Sequence, residues 1–236
     1  MAWEELEKSG IKAYYKDNAV FIINADCREV LPGLPKVDLV LTDPPYGRDE
    51  IKNNPSRGKL AISKNYGLGD WDKEPVDEKL LVLVVSKANH SIIFGGNYFE
   101  LAASSCWLVW DKDNGDNDFA DCELAWTNFS SAVRLFKWRW NGMLQQPNHP
   151  KDYRQHPTQK PTGLFSLILS DYSKVGDIIL DPFLGSGTTC YCAKKLLRKS
   201  IGIEIEEKYC EIAARRCSQE IMELKCCMCE MPPLGS

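Results

Sequence analysis

The chain has 236 residues, of which 44% are hydrophobic, and it carries a formal net charge of -4. This length and apolar content predict one α/β domain with a sizeable core. The net negative charge excludes a wholesale polybasic nucleic-acid binder, but it does not exclude a local basic groove.

The sequence indicates neither a membrane span nor a secretory leader. No apolar stretch approaches the roughly 20 residues that cross a bilayer, and the N-terminal residues lack the pattern of a signal peptide. The 10 cysteines, spread over a chain of this size, favour reduced thiols in an intracellular, cytoplasmic protein. A C-x-x-C spacing from Cys226 to Cys229 has no second pair or His cluster nearby, so we predict no metal site and a flexible tail over 226–236.

In the first half of the chain, the sequence pattern predicts strands that end in polar or glycine-rich turns. Short, nearly continuous apolar runs at 20–23 and 37–41 are typical of buried parallel strands. A helix is predicted over 76–89, and further strands are predicted over 91–94 and 106–110.

The second half alternates between helices and strands. After a predicted helix over 119–129 and an extended segment over 132–138, the proline-rich segment 141–161 is expected to be a loop. The remaining predicted elements are helices over 162–172, 188–197 and 206–223 and strands over 177–180 and 200–203. Alternation of this kind predicts a doubly wound sheet.

A compact strand–turn–helix–strand unit over 178–205 contains the first candidate site. Its turn holds Gly185 and Gly187 just before a predicted helix, and small residues there let a ligand approach the backbone closely. Glu204 ends the following strand, 19 residues after Gly185. A carboxylate at that position can accept hydrogen bonds from ribose hydroxyls, so the unit is a candidate nucleoside-cofactor site.

Three kinds of turn compete for this pattern. A phosphate-binding Walker loop would need a Lys after Gly187, and none is present. A dinucleotide fingerprint would need Gly or Ala where Cys190 stands. An S-adenosylmethionine site tolerates the turn because that cofactor has no pyrophosphate to hold, and a plain tight turn is the remaining alternative.

The second candidate site is Asp43-Pro44-Pro45-Tyr46, which follows the predicted strand over 37–41. An aromatic amine is a poor nucleophile because its lone pair is delocalised into the ring. The Asp43 carboxylate and the Pro44 carbonyl can each accept one N–H, which favours a tetrahedral nitrogen with a localised lone pair. Both prolines restrict the turn, and Tyr46 offers a ring on which a flipped base can stack.

Two alternatives to this interpretation concern the turn and the chemistry. A lone D-P-P-Y is most simply a turn that ends a strand, and the functional interpretation depends on its pairing with the glycine turn. Methylation at a ring carbon typically uses a nucleophilic Cys beside Pro, and the chain has no Pro-Cys dipeptide. The residues therefore favour transfer of a methyl group to an amine.

These motifs resemble those of the amino-methylating (N6-adenine or N4-cytosine) DNA methyltransferases with the β-type motif order. In that family the catalytic D-P-P-Y precedes an F-x-G-x-G turn, as Asp43 precedes Phe183 here. The resemblance covers roughly residues 20–216 and implies a Rossmann-like methyltransferase sheet, mostly parallel with an antiparallel hairpin edge. It implies a catalytic role for Asp43, Pro44, Pro45 and Tyr46.

The resemblance also implies S-adenosyl-L-methionine as cofactor. The residues implied to bind it follow strands, form the glycine turn or lie in the segment 156–161: Asp26, Cys27, Asp43, His156, Thr158, Lys160, Asp181, Phe183, Gly185, Ser186, Gly187, Thr188 and Glu204. In the family, Asp at the head of the motif is commoner for adenine and Ser for cytosine. Adenine N6 in DNA is therefore the expected acceptor, reached by base flipping.

The acceptor has alternatives. Cytosine N4 could be methylated by the same site, and an RNA base or a protein amide is a further alternative. From another class, a nucleic-acid-binding protein without catalysis is also left open. Members of the family often dimerise, so a homodimer is an open alternative as well.

Two basic segments are candidates for contact with DNA. Residues 134–160 contain six basic residues and one acidic residue, interleaved with aromatic rings, and are predicted to hold a small target-recognition insertion at about 134–156. A mobile loop is predicted at about 48–70, within a domain that spans 1–225. The respective alternatives are a solvated hairpin with its tryptophans packed on the core and a plain disordered insertion. The candidate contacts are Lys52, Arg57, Lys59, Arg134, Lys137, Arg139, Trp140 and Arg154. The acidic segment 111–123 is expected not to touch phosphates.

Overall fold

The computed structural model describes residues 3–47, 76–115, 120–141, 144–149, 151–152 and 159–219. The loop predicted at about 48–70 lies outside the described residues, and so does the tail predicted over 226–236 with its C-x-x-C spacing. None of the described helices has the length and apolar character that a membrane crossing demands.

Eleven strands occur among the described residues, in chain order β1 (Tyr15–Lys16), β2 (Val20–Asn24), β3 (Val37–Thr42), β4 (Ala88–Phe94), β5 (Trp107–Asp111), β6 (Cys122–Thr127), β7 (Arg134–Lys137), β8 (Trp140–Asn141), β9 (Leu144–Gln145), β10 (Ile178–Asp181) and β11 (Lys199–Glu204). Six α-helices occur in the same ranges, α1 (Trp3–Lys8), α2 (Cys27–Val30), α3 (Glu78–Ser86), α4 (Thr162–Tyr172), α5 (Thr188–Lys195) and α6 (Glu207–Cys217).

Nine of these strands form one sheet in the order β1-β2-β11-β10-β3-β4-β6-β5-β7. The five strands from β2 to β4 in this order run parallel to one another. β6 is antiparallel to both β4 and β5, and β7 runs parallel to β5. The predicted fold, a mostly parallel α/β sheet with an antiparallel edge, is therefore confirmed. The strands β8 and β9 pair as a separate short hairpin at the start of the predicted loop over 141–161.

Helices cover both faces of the parallel strands. On one face, Leu39 and Leu41 pack with α4 and α5 around Phe165 and Ile168. On the other face, Val40 packs with residues of α1, α2 and α3, among them Leu6. Burial on both faces explains why the central strands have nearly continuous apolar runs.

The predicted helix over 119–129 is wrong, because its described part contains β6. The sequence Cys-Glu-Leu-Ala-Trp-Thr has residues that favour helices, but here it is hydrogen-bonded on both sides. Trp126 pairs with Ile93 on β4 and with Trp107 on β5, and its side chain is buried. Tertiary pairing has overridden local propensity at this point.

Other element boundaries differ by a few residues. The helix predicted over 76–89 begins after Asp77, whose side chain accepts a hydrogen bond from the Lys79 N–H, and it ends at Ser86. Its last predicted residues belong to β4, because Ala88 pairs with Val37. The last predicted helix, over 206–223, ends at Cys217 in the structure, and residues from 220 onward lie outside the described ranges.

Candidate functional site

The two predicted motifs meet at one edge of the sheet. β3 and β10 are neighbouring parallel strands, so Asp43, which follows β3, and Asp181, which ends β10, lie at the same ends of their strands. The Thr42 hydroxyl donates to Asp181 Oδ1 at 2.7 Å, and the Thr189 hydroxyl donates to Oδ2 at 2.6 Å. Through these two hydrogen bonds Asp181 links β3, the strand that precedes Asp43, to the first turn of α5.

The turn between β10 and α5 has the geometry of a ligand cradle. Gly185 and Gly187 have positive φ angles of 53° and 81°, a conformation that glycine adopts at little cost. A Cβ at Gly187 would lie 2.7 Å from the Ala213 Cβ, whereas a Cβ at Gly185 would meet nothing within 4 Å. The turn is therefore pressed against α6 on one side and open above Gly185.

Glu204 holds this turn from the end of β11. One carboxylate oxygen, Oε2, accepts a hydrogen bond from the Gly185 N–H at 2.8 Å, and Oε1 accepts one from the Glu206 N–H at 2.8 Å. Burial raises the pKa of this carboxyl, while these backbone donors act in the opposite direction. Each oxygen keeps a further lone pair, so Glu204 can still accept from a ligand hydroxyl.

Arg216 on α6 forms hydrogen bonds to the same turn, and this role was not predicted from the sequence. Its guanidinium Nη1 donates to the Ser186 carbonyl at 2.6 Å, to the Ser186 hydroxyl at 3.0 Å and to the Thr188 hydroxyl at 3.2 Å. The side chain is buried, at 9% exposure. The contacts join residues about 30 positions apart, and only the place of Arg216 on the apolar face of a helix could have indicated them.

Asp181 carries a strongly perturbed carboxyl. Burial raises its pKa to about 6, although three donors, the Thr189 and Thr42 hydroxyls and the Phe183 N–H, lower it. An unfolded Asp titrates near 3.9. The folded protein therefore binds this proton more tightly than the unfolded chain, which favours folding at acid pH and loses that contribution as the pH rises through about 6.

This perturbation predicts a pH-dependent difference between the wild type and Asp181→Asn, whose side chain does not titrate. Between about pH 4 and 6, the free energy of unfolding of the wild type should fall relative to the variant by about 1–3 kcal/mol. Denaturant unfolding at a series of pH values measures this difference. Curves that stay parallel across the window would contradict the assignment.

Asp43 lies in a network of alternating charges. Its Oδ1 accepts a hydrogen bond from the Tyr46 hydroxyl, and its Oδ2 lies 2.5 Å from Lys160 Nζ. The same ammonium lies 3.2 Å from Glu123 Oε2, and Lys112 Nζ lies 2.7 Å from Glu123 Oε1. Two ammonium groups and two carboxylates thus alternate in a row that has no net charge and ends at Asp43.

Burial and neighbouring charges oppose each other in this network. Burial raises the pKa of Asp43, and Glu123 also raises it, while Lys160 lowers it. For Lys160 burial acts to lower the pKa, but the two carboxylates outweigh burial and the pKa rises. The pKa of Glu123 is lowered because Lys160 and Lys112 outweigh its burial. The ammonium of Lys160 therefore stays charged at neutral pH.

An aromatic wall stands beside Asp43. The Tyr46 ring centroid lies 5.1 Å from that of Tyr98 and 6.1 Å from that of Phe99. Gly95 has a φ of +66°, and a Cβ placed there would lie 2.1 Å from the Tyr46 ring. The ring can occupy its position only because residue 95 has no side chain.

The remaining cofactor candidates lie after β2, in the glycine turn, beside Asp43 or outside the described residues. Asp26 follows β2, accepts from the Arg28 N–H at 2.9 Å and pairs with the Arg28 guanidinium, which lowers its pKa. Cys27 is buried, and Phe183 packs against the same cluster. His156 and Thr158 lie outside the described residues. Lys160, predicted to bind cofactor, directly contacts Asp43 in the structure.

The candidate DNA contacts have diverse surroundings. Arg134 is exposed, whereas Lys137 and Arg139 both form ion pairs with Asp113. Trp140 is buried at 8% exposure and packs in the core, so in this conformation its ring is not presented to a base. The other candidates lie outside the described residues: Lys52, Arg57, Lys59 and Arg154.

Glu123 and Gly95 were also missed. The acidic segment 111–123 was expected not to touch phosphates, and its last residue instead faces Lys160 in the site. A pattern signal existed for Gly95, because the pair Gly95-Gly96 ends a buried strand, but nothing local shows that a ring fills the space above it.

Comparisons with known proteins agree on one kind of molecule. A family model described as DNA methylase matches residues 123–215. Type II methyltransferase M2.LlaDCHI of Lactococcus lactis subsp. cremoris is 28% identical over 267 residues, covering 92% of this chain and 97% of that protein. Type II methyltransferase M2.DpnII of Streptococcus pneumoniae is 28% identical over 255 residues, covering 89% and 93%.

Solved structures share the fold. The crystal structure of the M1.HpyAVI–SAM complex is 26% identical, with a TM-score of 0.51, and the match covers 85% of this chain and 100% of that one. The cytosine-N4-specific PvuII DNA methyltransferase has a TM-score of 0.58 at 17% identity, covering 88% and 89%. The second likeness concerns the fold alone.

Proposed function

We propose that this chain, which matches the DNA methylase family model over residues 123–215 and Type II methyltransferases over about nine-tenths of its length, is an amino-methyltransferase that methylates the N6 amine of adenine in DNA. The observation that carries the proposal is the meeting of Asp43 and the glycine turn at one edge of the sheet, joined through the Thr42–Asp181 hydrogen bond. A base held at Asp43 and a cofactor held at the turn would then lie side by side.

The residues of the turn fit S-adenosyl-L-methionine. The space above Gly185 admits a ligand, Glu204 can accept from ribose hydroxyls, and the turn is stiffened by Arg216. The cofactor supplies an electrophilic methyl group on a sulfonium, a donor that needs no phosphate-binding Lys. Asp26 follows β2, close to Glu204 because Asn24 pairs with it on β11, and is the candidate contact for the adenine part.

Asp43 and its neighbours supply the base-binding half. The Asp43 carboxylate and the Pro44 carbonyl would accept the two N–H groups of the target amine, which localises its lone pair for attack. The wall of Tyr46, Tyr98 and Phe99 offers rings against which a flipped base can pack. In the family, Asp at the head of the motif favours adenine over cytosine, and this supports the choice of N6.

The acceptor class is tested by offering several acceptors together. Purified protein is incubated with methyl-labelled S-adenosylmethionine and, in parallel, with methylation-free duplex DNA, the same DNA as single strands, RNA of the same sequence, and bulk protein. We expect label in DNA, at either strand state, and none in protein. Label confined to RNA or to protein would overturn the proposal, and cofactor binding with no label anywhere would favour a binding protein without catalysis.

A further inference from the structure

Lys160 lies between two carboxylates at the heart of the candidate site. Its Nζ is 2.5 Å from Asp43 Oδ2 and 3.2 Å from Glu123 Oε2, and the side chain is buried at 8% exposure. The shorter distance shows that Asp43 is the preferred partner in this structure. A single ammonium thus has one close acceptor and a second acceptor within reach.

This inference rests on the proposed function, in which the target amine binds Asp43. The ammonium of Lys160 occupies the position at Asp43 Oδ2 that the amine would take. The amine must donate an N–H to the Asp43 carboxylate, as Lys160 already does at Oδ2. The ammonium also lies 5.9 Å from the centroid of the Tyr46 ring and 5.4 Å from that of Phe94, at the aromatic side of the site. Lys160 and the target amine are therefore competitors for the same carboxylate.

The position of Glu123 suits it as a second partner for the Lys160 ammonium. Its Oε1 already pairs with Lys112 Nζ at 2.7 Å. Its Oε2 is buried and forms an ion pair with Lys160 Nζ at 3.2 Å that is not aligned as a hydrogen bond. A buried acceptor without a well-aligned hydrogen bond is costly, and a small shift of the ammonium from Asp43 toward Glu123 would supply one.

The charges also favour such a shift during the reaction. While Lys160 is bound to Asp43, its positive charge offsets the carboxylate that must stabilise the cation forming on the target nitrogen. Without Glu123, an ammonium leaving Asp43 would become a buried, unpaired charge. With Glu123, the leaving ammonium exchanges one carboxylate for another, and no proton is transferred.

We propose that Lys160 is a positioning residue whose ammonium pairs with Asp43 until the target amine binds and then changes partner to Glu123. Glu123 is a positioning residue in the same step, because its Oε2, already paired with Lys160 at 3.2 Å, receives the ammonium. The hydrogen bond from Nζ to Asp43 Oδ2 is replaced by one from Nζ to Glu123 Oε2, and the amine N–H takes the vacated oxygen.

The test compares a target base that has the amine with one that lacks it. The probes are a duplex oligonucleotide containing a site that the wild type methylates and the same oligonucleotide with purine in place of the target adenine. For Glu123→Gln, which cannot receive the ammonium as a charge partner, we expect the affinity for adenine DNA to fall about 10-fold or more relative to purine DNA. Glu7→Gln, which breaks a surface ion pair of 2.5 Å with Lys16, is the matched control.

A second measurement separates exchange from a merely structural role. In the Lys160→Met background there is no ammonium to receive, so adding Glu123→Gln should change the ratio of adenine to purine affinity by less than about 2-fold. Cofactor affinity should be the same with and without Glu123→Gln. Should Glu123→Gln fail to fold, Glu123→Asp keeps the charge, withdraws the receiving oxygen, and should give an intermediate loss.

Each outcome bears on a different claim. If the wild type is active and Glu123→Gln lowers the affinity for both oligonucleotides equally, the exchange is overturned and the proposed function stands. The same change of ratio in the Lys160→Met background overturns it as well. A wild type that binds cofactor and methylates no DNA overturns the proposed function, and the exchange with it.

Discussion

Replacing Asp43 with Asn is expected to lower kcat for methyl transfer by about 1000-fold while changing cofactor affinity by less than about 3-fold. The Asn side chain has nearly the same shape but loses the negative charge that stabilises the cation forming on the target nitrogen. Its amide NH2 must also face either Tyr46 or the position that Lys160 and the substrate amine share. Single-turnover methylation at saturating cofactor and DNA, with cofactor affinity from calorimetry, measures both quantities.

Asp113→Asn is the matched control for this variant. Asp113 also pairs with two cations, Lys137 and Arg139, and among the described contacts it has no ion pair with Lys160. Its kcat should stay within about 3-fold of wild type. The variant Asp43→Asn keeps its fold in this account because Glu123 still neutralises Lys160. Full activity of Asp43→Asn would rule out the carboxylate as the group that activates the amine.

Gly95→Ala is expected to displace the Tyr46 ring and so to lower both activity and stability. The new Cβ would lie 2.1 Å from the ring, and the residue has a φ of +66°. Overpacking and backbone strain together should cost about 2–4 kcal/mol of stability. We expect kcat to fall roughly 10- to 100-fold because Tyr46 also donates to Asp43.

Gly115→Ala separates the two contributions to that loss. Gly115 has a nearly identical φ of +68°, but a Cβ there would meet nothing within 4 Å. This control should lose only the strain, about 1 kcal/mol, and keep its kcat. Thermal unfolding and steady-state rates of the two variants provide the comparison. Equal losses in both would show that the contact with Tyr46 is immaterial.

The parts of the site that depend on local chemistry could be predicted from the sequence. A buried strand followed by Asp43 and two prolines, and a turn with Gly185 and Gly187 before a helix, each have a signature within about ten residues of chain. Parallel strands present such turns at the same edge of a sheet. The meeting of the two motifs was therefore predictable without coordinates.

The parts that were missed depend on pairing between distant segments. β6 is a strand because β4 and β5 flank it, and its own residues favour a helix. Glu123 enters the site only because that strand brings it opposite Lys160. Trp140 looked like an exposed ring for a base, yet it is buried in the core. No pattern in the sequence specifies these contacts.

The central claim, methyl transfer to an exocyclic amine of a DNA base, is tested most directly by nucleoside mass spectrometry. Methylation-free DNA is incubated with the protein and deuterated-methyl S-adenosylmethionine, digested to nucleosides and analysed for labelled products. We expect labelled N6-methyladenine, while N4-methylcytosine would keep the chemistry and reverse the choice of base. Labelled 5-methylcytosine, or no labelled nucleoside with cofactor binding confirmed, would contradict the account.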